Sequence, residues 1–516
     1  MKLTRRDLLK AASTATAATA VGCGPELGLE GDGGDGGDNR DAQSMASLDA
    51  GPDAEFDAQG SDATDGDTAS DAATDTRGDT HEDASPDAGT PAINPDFRTI
   101  PERLTMFPYA VMAGDATDTS VMFWTRYTGT APITLRVLEM SGTTLAAVRF
   151  DAVVTPAAGG FVRAIVNGLH ANRVHKYAFL VGPIEAPIGR SAIGTVQTAF
   201  APDTLAAITF AGTSCSHQNA APHPVLAHAG TRTDLDFFIH LGDHIYADAG
   251  ADAVTLTEYR AKYATSWDTP GMRALHASTG TYLTWDDHEV LNNYDPETLS
   301  PARIDTARQA FFEHRATRRD SANPSRIWRK FRWGLTAEIF ILDCRAERRP
   351  STASTDPSRA STYISRTQMD WLKSGIRDSP CVFKFIMNSV PIVNRLGGDS
   401  DNWNGYASQR REILDHIVSN RLNGVLWLSG DVHFGGVCKV EAAGVWSNVW
   451  EVLMGPSGSV RVGNPILTAS QWPVRVLDNI QTYTVVRANP MTRTVEVEFI
   501  NGSGARVPNS LWTHTF

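Results

Sequence analysis

The sequence predicts an α/β body preceded by an all-β sandwich, and three observations carry that prediction. From about residue 205, apolar runs of strand length alternate with stretches of helical pattern at 256–263, 305–317 and 407–419, the arrangement of layered α/β domains. Between 98 and 200 short alternating runs at 121–126, 133–138, 161–166 and 176–181 are separated by Gly, Pro and Asn, as in an antiparallel sandwich. The α/β runs also end in reactive clusters. The run 207–212 leads into Thr213-Ser214-Cys215-Ser216-His217, and 235–241 into Gly242-Asp243-His244-Ile245-Tyr246. The run 281–285 leads into Asp286-Asp287-His288-Glu289, and 424–428 into Ser429-Gly430-Asp431-Val432-His433. In open α/β sheets the carboxyl ends of the strands line one crevice, where ligands bind. These four clusters are therefore expected to converge.

At 516 residues the chain exceeds what one compact core usually serves. Its apolar content of 41% is ample for a folded body. The net charge of −13 sits in one segment: residues 24–97 hold 20 acidic residues against two arginines, and 98–516 is close to neutral. The body thus lacks the basic excess of a nucleic-acid binder, and no nucleic-acid surface is expected. Five cysteines do not suggest a disulfide framework.

Four parts follow in order: 1–23, 24–97, 98–200 and 201–516. Residues 1–23 read as a targeting segment. Thr4-Arg5-Arg6-Asp7-Leu8-Leu9-Lys10 resembles the twin-arginine motif, read by the machinery that exports folded proteins. The Ala- and Thr-rich stretch after it is too short and too weakly apolar to span a membrane. Ala20-Val21-Gly22-Cys23 resembles a bacterial lipobox, with Cys23 as the lipidated residue. The expected product is a membrane-anchored lipoprotein in the periplasm or on the cell surface, touching the membrane through that anchor alone. Export in the folded state suits a protein that loads metal in the cytoplasm. Residues 24–97 are Asp, Ala, Gly, Thr and Ser with few large apolar residues, a composition that stays disordered. Asp recurs at 67, 71, 75, 79, 83 and 87, a spacing that would stack like charges on a helix. Such a tether reaches roughly 50 Å as a flexible coil. The sandwich, 98–200, shows no reactive cluster and reads as structural. The domain 201–516 carries the chemistry.

Gly-Asp-x-x-Tyr offers a carboxylate and a phenolate after a strand. A phenolate is a natural partner of Fe(III), and a Cys215 thiolate would add charge and hold the ion tightly. Asp243 can bridge to a second ion. Asp286, Asp287 and Asp431 are hard oxygen donors suited to Ca²⁺, Mg²⁺ or Mn²⁺ there, and His433 is a candidate ligand of the first. Two such ions clamp a phosphoryl group and activate water. His288 then reads as a general acid or phosphate contact, and Arg345 and Arg348 as partners for phosphate oxygens. His217, His240 and His244 read as supporting or surface groups. Cys344, Cys381 and Cys438 read as inert core thiols.

Taken together, these residues resemble the PhoD-like alkaline phosphatases, a branch of the calcineurin-like metallophosphoesterases. The resemblance rests on 107–126, Ser214-Cys215-Ser216, Gly242-Asp243-His244-Ile245-Tyr246, 286–294, Leu342-Asp343-x-Arg345, Gln368-x-x-Trp371-Leu372 and Ser429-Gly430-Asp431-x-His433. It implies a four-layer αββα metallophosphoesterase domain behind the sandwich. It also implies a site holding Fe(III) and Ca²⁺, and hydrolysis of phosphodiesters and phosphomonoesters at alkaline pH. Mapped onto this sequence, it puts Cys215, Asp243, Tyr246 and His433 on the iron side. Asp287 and Asp431 fall at the second ion, with Asn388 a further candidate. Val432 stands where many relatives carry Arg.

The expected partner is a phosphate-ester substrate, and the expected state is a monomer. Two rival readings share the fold: a narrow-specificity diesterase acting on phospholipid head groups or teichoic-acid-like polymers, and a surface binding protein on a dead phosphatase scaffold. The completeness of the ligand set argues against the last. No Gly-x-Ser-x-Gly elbow supports a serine nucleophile.

Overall fold

The computed structural model describes residues 96–349, 362–393, 401–459, 467–477 and 479–516, with the backbone of the strand Ala54–Asp57. The export segment, Cys23 and nearly all of the acidic tether lie outside the described residues. Residues 50–516 form one compact unit.

Two sheets face one another across a shared apolar core. In a ten-stranded sheet, the strands Ile208–Thr213, Phe237–His240 and Thr281–Leu283 run parallel as neighbours. In a seven-stranded sheet, Ala337–Ile341, Phe383–Asn388, Val425–Ser429 and Trp450–Leu453 do the same. Phe210, Phe237 and Ile239 of the first sheet meet Ile339, Phe385 and Leu428 of the second. Strands buried on both faces read as continuous apolar runs, which is how these appear in the sequence.

The outer face of the ten-stranded sheet is covered by helices that include Leu256–Trp267 and Pro301–Glu313. Leu256–Trp267 opens on a capping box, Thr255 with Glu258, which satisfies two otherwise orphaned backbone donors. The helices Arg366–Asp378 and Ala407–Ser419 cover the other sheet. Arg366–Asp378 buries Met369, Leu372, Gly375 and Ile376 along one face. A Cβ on Gly375 would stand 2.5 Å from the Phe340 ring, so the close helix–sheet approach requires glycine there. The four layers are those that the family resemblance implied.

The N-terminal sandwich exists, but half of it is the catalytic sheet continued. Its five-stranded sheet contains the expected Ile133–Ser141 and Val174–Val181, plus a strand absent from the sequence reading, Thr144–Val154. Thr144–Val154 is half exposed and Ala-rich, so its alternation is faint. The opposing layer is Val111–Gly114, Val121–Arg126 and Phe161–Asn167, all members of the ten-stranded sheet. The junction is Gly114 paired in parallel with Thr281. A Cβ on Gly114 would lie 2.2 Å from the Ala316 carbonyl oxygen.

One expectation about the tether is corrected. Ala54–Asp57, inside the segment expected to be disordered, adds to the sheet edge in parallel with Phe161–Asn167. An open edge presents a row of unpaired backbone groups that pair with almost any extended segment. Composition does not weigh that attraction.

Candidate metal centre

The four strand-end clusters converge. Cys215 Sγ, an Asp243 carboxylate oxygen and a His433 ring nitrogen lie within 4.8 Å of one another. The Tyr246 hydroxyl joins them, 3.1 Å from His433 Nε2 and 3.4 Å from Asp243 Oδ2, and it is fixed by Ser459 Oγ at 2.7 Å. Donor atoms of Asp243, Asp287 and His288 form a second group within 4.8 Å. Asp243 belongs to both groups, the position of a bridging carboxylate.

The backbone at these positions is strained in one consistent way. Cys215, Asp243, Asp431 and His433 all have positive φ, between 52° and 65°. Non-glycine residues rarely adopt this left-handed conformation, and where it persists the surroundings hold it, typically at functional sites. Here the clamps are visible. Cys215 N–H donates to the Gly242 carbonyl at 3.1 Å, and Gly458 N–H donates to the Cys215 carbonyl at 3.0 Å. Gly242 itself has φ 106°, and a Cβ on it would stand 2.5 Å from Asp286 Cβ.

Glu289 is the keystone beneath the site. Its carboxylate accepts the backbone N–H groups of Asp243 at 3.0 Å, His244 at 2.9 Å and Asp286 at 2.9 Å. Arg315 donates to it at 3.0 Å from beneath, its guanidinium lying 4.2 Å from the Phe311 ring centroid. Both side chains are fully buried. The sequence placed Glu289 in the acidic run without giving it a task.

Burial dominates the electrostatics. It pushes the Cys215 thiol, the Asp243 carboxyl and the Tyr246 phenol well above their ordinary ranges, and the neighbouring carboxylates push the same way. Burial also lifts Asp286, to about 6, with Arg345 opposing it. For Asp287 burial is outweighed by Arg345 and His288, which hold it below the usual carboxylate range. Burial disfavours a charged His288, yet Asp243, Asp287 and Asp248 overcome that and raise it to about 10. A thiol, a phenol and several carboxyls held this close ionise together when cations neutralise them.

Three expectations change. Asn388 is not free to ligate: its Oδ1 accepts from Cys344 Sγ at 2.9 Å and Trp403 Nε1 at 3.0 Å, and its amide donates to the Val390 carbonyl. Arg345 does not face a phosphate. It is fully buried and donates to Asp286 at 2.5 Å, Asp401 at 3.1 Å and Asp431 at 3.3 Å, with Asp287 at 3.6 Å. Asp343, two residues before it on a strand end, turns the chain so that the guanidinium points inward. Arg348 is likewise spent on the carbonyls of Tyr294 and Asp401.

Asp286 gives one oxygen to Arg345, while its buried Oδ2 has no partner among the described residues. An orphaned carboxylate oxygen beside Asp287 and Asp431 fits a hard cation. The thiol, phenol, imidazole and shared carboxylate fit a trivalent ion. Asn293, its amide nitrogen turned inward, donates to Asp287 Oδ2 at 2.9 Å and Asp401 Oδ2 at 2.8 Å.

His288 Nδ1 is held by Asp248 at 2.7 Å, and its ring lies 4.0 Å from that of Tyr246. His240 and His244, expected as supporting groups, stack at 3.3 Å under the site, and His240 Nε2 meets Ser216 Oγ at 2.8 Å. His217, read as a supporting or surface group, sits at the open side of the site, its ring 4.3 Å from that of Tyr246. It lines a cleft of about 380 Å³ with Tyr246, His433, Ser459 and Gln481. Its Nδ1 accepts the Asn219 N–H at 3.1 Å, so in the neutral ring the proton sits on Nε2. Ser459, Asp248 and Asp401 were not found from the sequence, since only the fold brings them near the motifs.

A family model described as PhoD-like phosphatase matches residues 210–504, and one described as the PhoD-like phosphatase N-terminal domain matches 95–199. The chain is 27% identical over 393 residues to alkaline phosphatase D of Bacillus subtilis (strain 168), covering 66% of this chain and 65% of that protein. It thus spans just under two thirds of that relative's length. Among solved structures, one of PhoD superposes with a TM-score of 0.66 at 22% identity, covering 79% of this chain and 89% of that one. A purple acid phosphatase from yellow lupin (Lupinus luteus) seeds gives 0.54 at 12%, covering 78% and 73%. Both share the fold. With that family's two models lying in tandem on the sandwich and on the metal-centre domain, the chain belongs to the PhoD-like phosphatases.

Proposed function

We propose that the protein is a metal-dependent phosphoric ester hydrolase that cleaves phosphodiesters and phosphomonoesters. The observation that carries this reading is Asp243, whose carboxylate belongs to both donor groups. Cys215, Asp243, Tyr246 and His433 would hold an Fe(III) ion. Asp243, Asp287, Asp431 and the orphaned oxygen of Asp286 would hold a Ca²⁺, with Mg²⁺ or Mn²⁺ as substitutes. Such a pair, when bound, polarises the phosphoryl group and supplies an activated water.

The chain's own residues do the rest. Water adds to phosphorus, the P–O bond to the alcohol breaks, and the departing oxygen needs a proton. His288 is the candidate donor, because Asp248 fixes its Nδ1 and leaves Nε2–H for the leaving group. Arg345 balances the surplus of carboxylates, fixing Asp286, Asp287 and Asp431 for the second ion. Ser459 orients the Tyr246 hydroxyl.

The test is hydrolysis of bis(para-nitrophenyl) phosphate at alkaline pH by the full chain, loaded with iron and calcium, before and after chelation. The expected result is turnover that chelation abolishes and that returns when the metals are restored. Turnover indifferent to a chelator that has demonstrably stripped both ions would sink the metal-dependent reading.

The location is proposed from the N-terminal segment. The chain is exported by the twin-arginine route and held at a membrane, facing the periplasm or the cell exterior, by lipid on Cys23; it acts as a monomer. Cells carrying Cys23→Ser should release the protein from the membrane fraction. Retention of that variant in the membrane would remove the anchor from the account.

A further inference from the structure

The cleft of about 380 Å³ beside the metal centre falls within the size range of small-molecule sites. Tyr246 and His433 line it, so it opens directly on the side assigned to the trivalent ion. His288 and the carboxylates assigned to the second ion are not among its lining residues.

Three segments distant in the chain build this cleft. His217, Asn219 and Ala220 follow the strand Ile208–Thr213, Gly458 and Ser459 follow Trp450–Leu453, and Gln481 precedes Thr482–Asn489. Ser214 bridges in parallel to Pro456, and Thr482 N–H donates to the Pro456 carbonyl at 2.9 Å, which brings the three together. A Cβ on Gly458 would stand 2.6 Å from the His217 backbone nitrogen, so the first two walls meet without a side chain between them.

The polar groups of the cleft divide into two sets. Tyr246, Ser459 and His433 are spent on one another, through contacts of 2.7 and 3.1 Å at the Tyr246 hydroxyl. His217 spends Nδ1 on the Asn219 N–H and keeps Nε2–H. That N–H and the side-chain amides of Asn219 and Gln481 make no hydrogen bond among the described residues. An amide offers a carbonyl acceptor beside an NH₂ donor. A hydroxyl, itself donor and acceptor, can use both, whereas an ionised phosphate oxygen can use only the donor.

We propose that this cleft receives the arm of the ester that stays on phosphorus, and that His217, with Asn219 and Gln481, selects an arm bearing hydroxyl groups. The inference rests on the phosphoesterase reading above. The Tyr246 ring has two imidazole neighbours, His288 at 4.0 Å and His217 at 4.3 Å, and only His217 lines the cleft. The leaving oxygen then lies at His288 and the retained arm at His217. Where such partners are fully buried, a missing hydroxyl costs roughly ten-thousandfold or more. Here Asn219 is exposed and His217 and Gln481 are half-buried, so water can serve them and the expected preference is about tenfold. Contacts to a part of the substrate that does not react are made equally before and in the transition state, so their loss appears in KM.

The experiment compares two chromogenic diesters on the metal-loaded full chain. Both have a para-nitrophenyl leaving group; the other arm is 2,3-dihydroxypropyl in one and propyl in its companion. The unaltered protein should favour the first about tenfold in kcat/KM, mostly through KM. His217→Phe keeps a ring against Tyr246 but removes Nε2–H, and should cut the preference to about threefold or less. Gln481→Met should act in the same direction, and decides the matter if His217→Phe does not fold. The visible absorption of the iron-loaded protein, which reports the Tyr246 phenolate, should be alike in all three. An unaltered protein that handles the two esters alike overturns the proposal, as does a variant that keeps the full preference. A variant whose absorption changes and whose rates fall equally on both esters assigns His217 to packing against Tyr246 alone. Turnover of both esters without discrimination leaves the phosphoesterase reading standing. If the unaltered protein turns over neither, that reading fails and takes this inference with it.

Discussion

Asp243→Asn is expected to lower hydrolysis of a phosphodiester by roughly a thousandfold or more, a loss of at least about 4 kcal/mol in transition-state stabilisation. The reason is the double duty of this one side chain. Its oxygens stand with Cys215 and His433 on one side and with Asp287 and His288 on the other. Asn keeps the shape but gives up the charge and one acceptor, so it weakens both halves at once. The fold is expected to survive. Asp243 is buried, and burial together with repulsion from Asp287, Asp286 and Glu289 drives its carboxyl well above the ordinary range. A neutral group in that place relieves the metal-free protein. The checks are kcat/KM, metal content after dialysis and a thermal melt in chelator. A phenolate on Fe(III) absorbs visible light, so the iron-loaded variant should also lose colour as iron is lost from Tyr246. Undiminished turnover with full metal content would remove Asp243 from the centre and take the two-ion reading with it.

Much of this site was legible because strand ends behave predictably. Cys215, Asp243, Asp287, Asp431 and His433 were found from apolar runs that stop at polar clusters, and the structure gathers them. Side-chain direction was not legible. Asn388 also stands at a strand end, yet Cys344, Trp403 and the Val390 carbonyl consume its amide. Arg345 looked like a phosphate contact because arginines near acidic motifs often are. The turn around Asp343 sends it inward, where carboxylates outnumber cations. Nor does the sequence announce positive φ at Cys215, Asp243, Asp431 and His433, since none is a glycine. That strain is imposed by partners distant in the chain, such as Gly458 against Cys215. The junction of sandwich and catalytic domain was missed for a similar reason. Texture changes near residue 200, but hydrogen bonding does not stop there, and Gly114 meets Thr281 across the apparent boundary.

Glu289→Gln is expected to be the most destabilising single change near the site, by about 3–5 kcal/mol, because it breaks a buried ion pair from one side. The carboxylate accepts from the backbone of Asp243, His244 and Asp286 and from Arg315, so every group around it is a donor. Gln brings an NH₂ into that ring of donors. One oxygen remains to accept, at least one backbone N–H is left without a partner, and Arg315 keeps its charge inside Phe311, Tyr263 and Trp267 with no anion. The backbone so released carries Asp243 and Asp286, so the positive φ at Asp243 loses its clamp and metal binding should weaken with stability. Pairing the change with Arg315→Met separates the two causes. The Met side chain fills similar space among the aromatic rings without charge, so the double variant should recover part of the melting temperature lost in Glu289→Gln. Metal affinity should recover less, because at least one of the three backbone donors remains unmet. A single variant that melts where the unaltered protein does would show that the carboxylate is dispensable to the fold. Recovery of stability and metal binding together in the double variant would trace the whole effect to the stranded guanidinium, and the loop-holding role of Glu289 would fall.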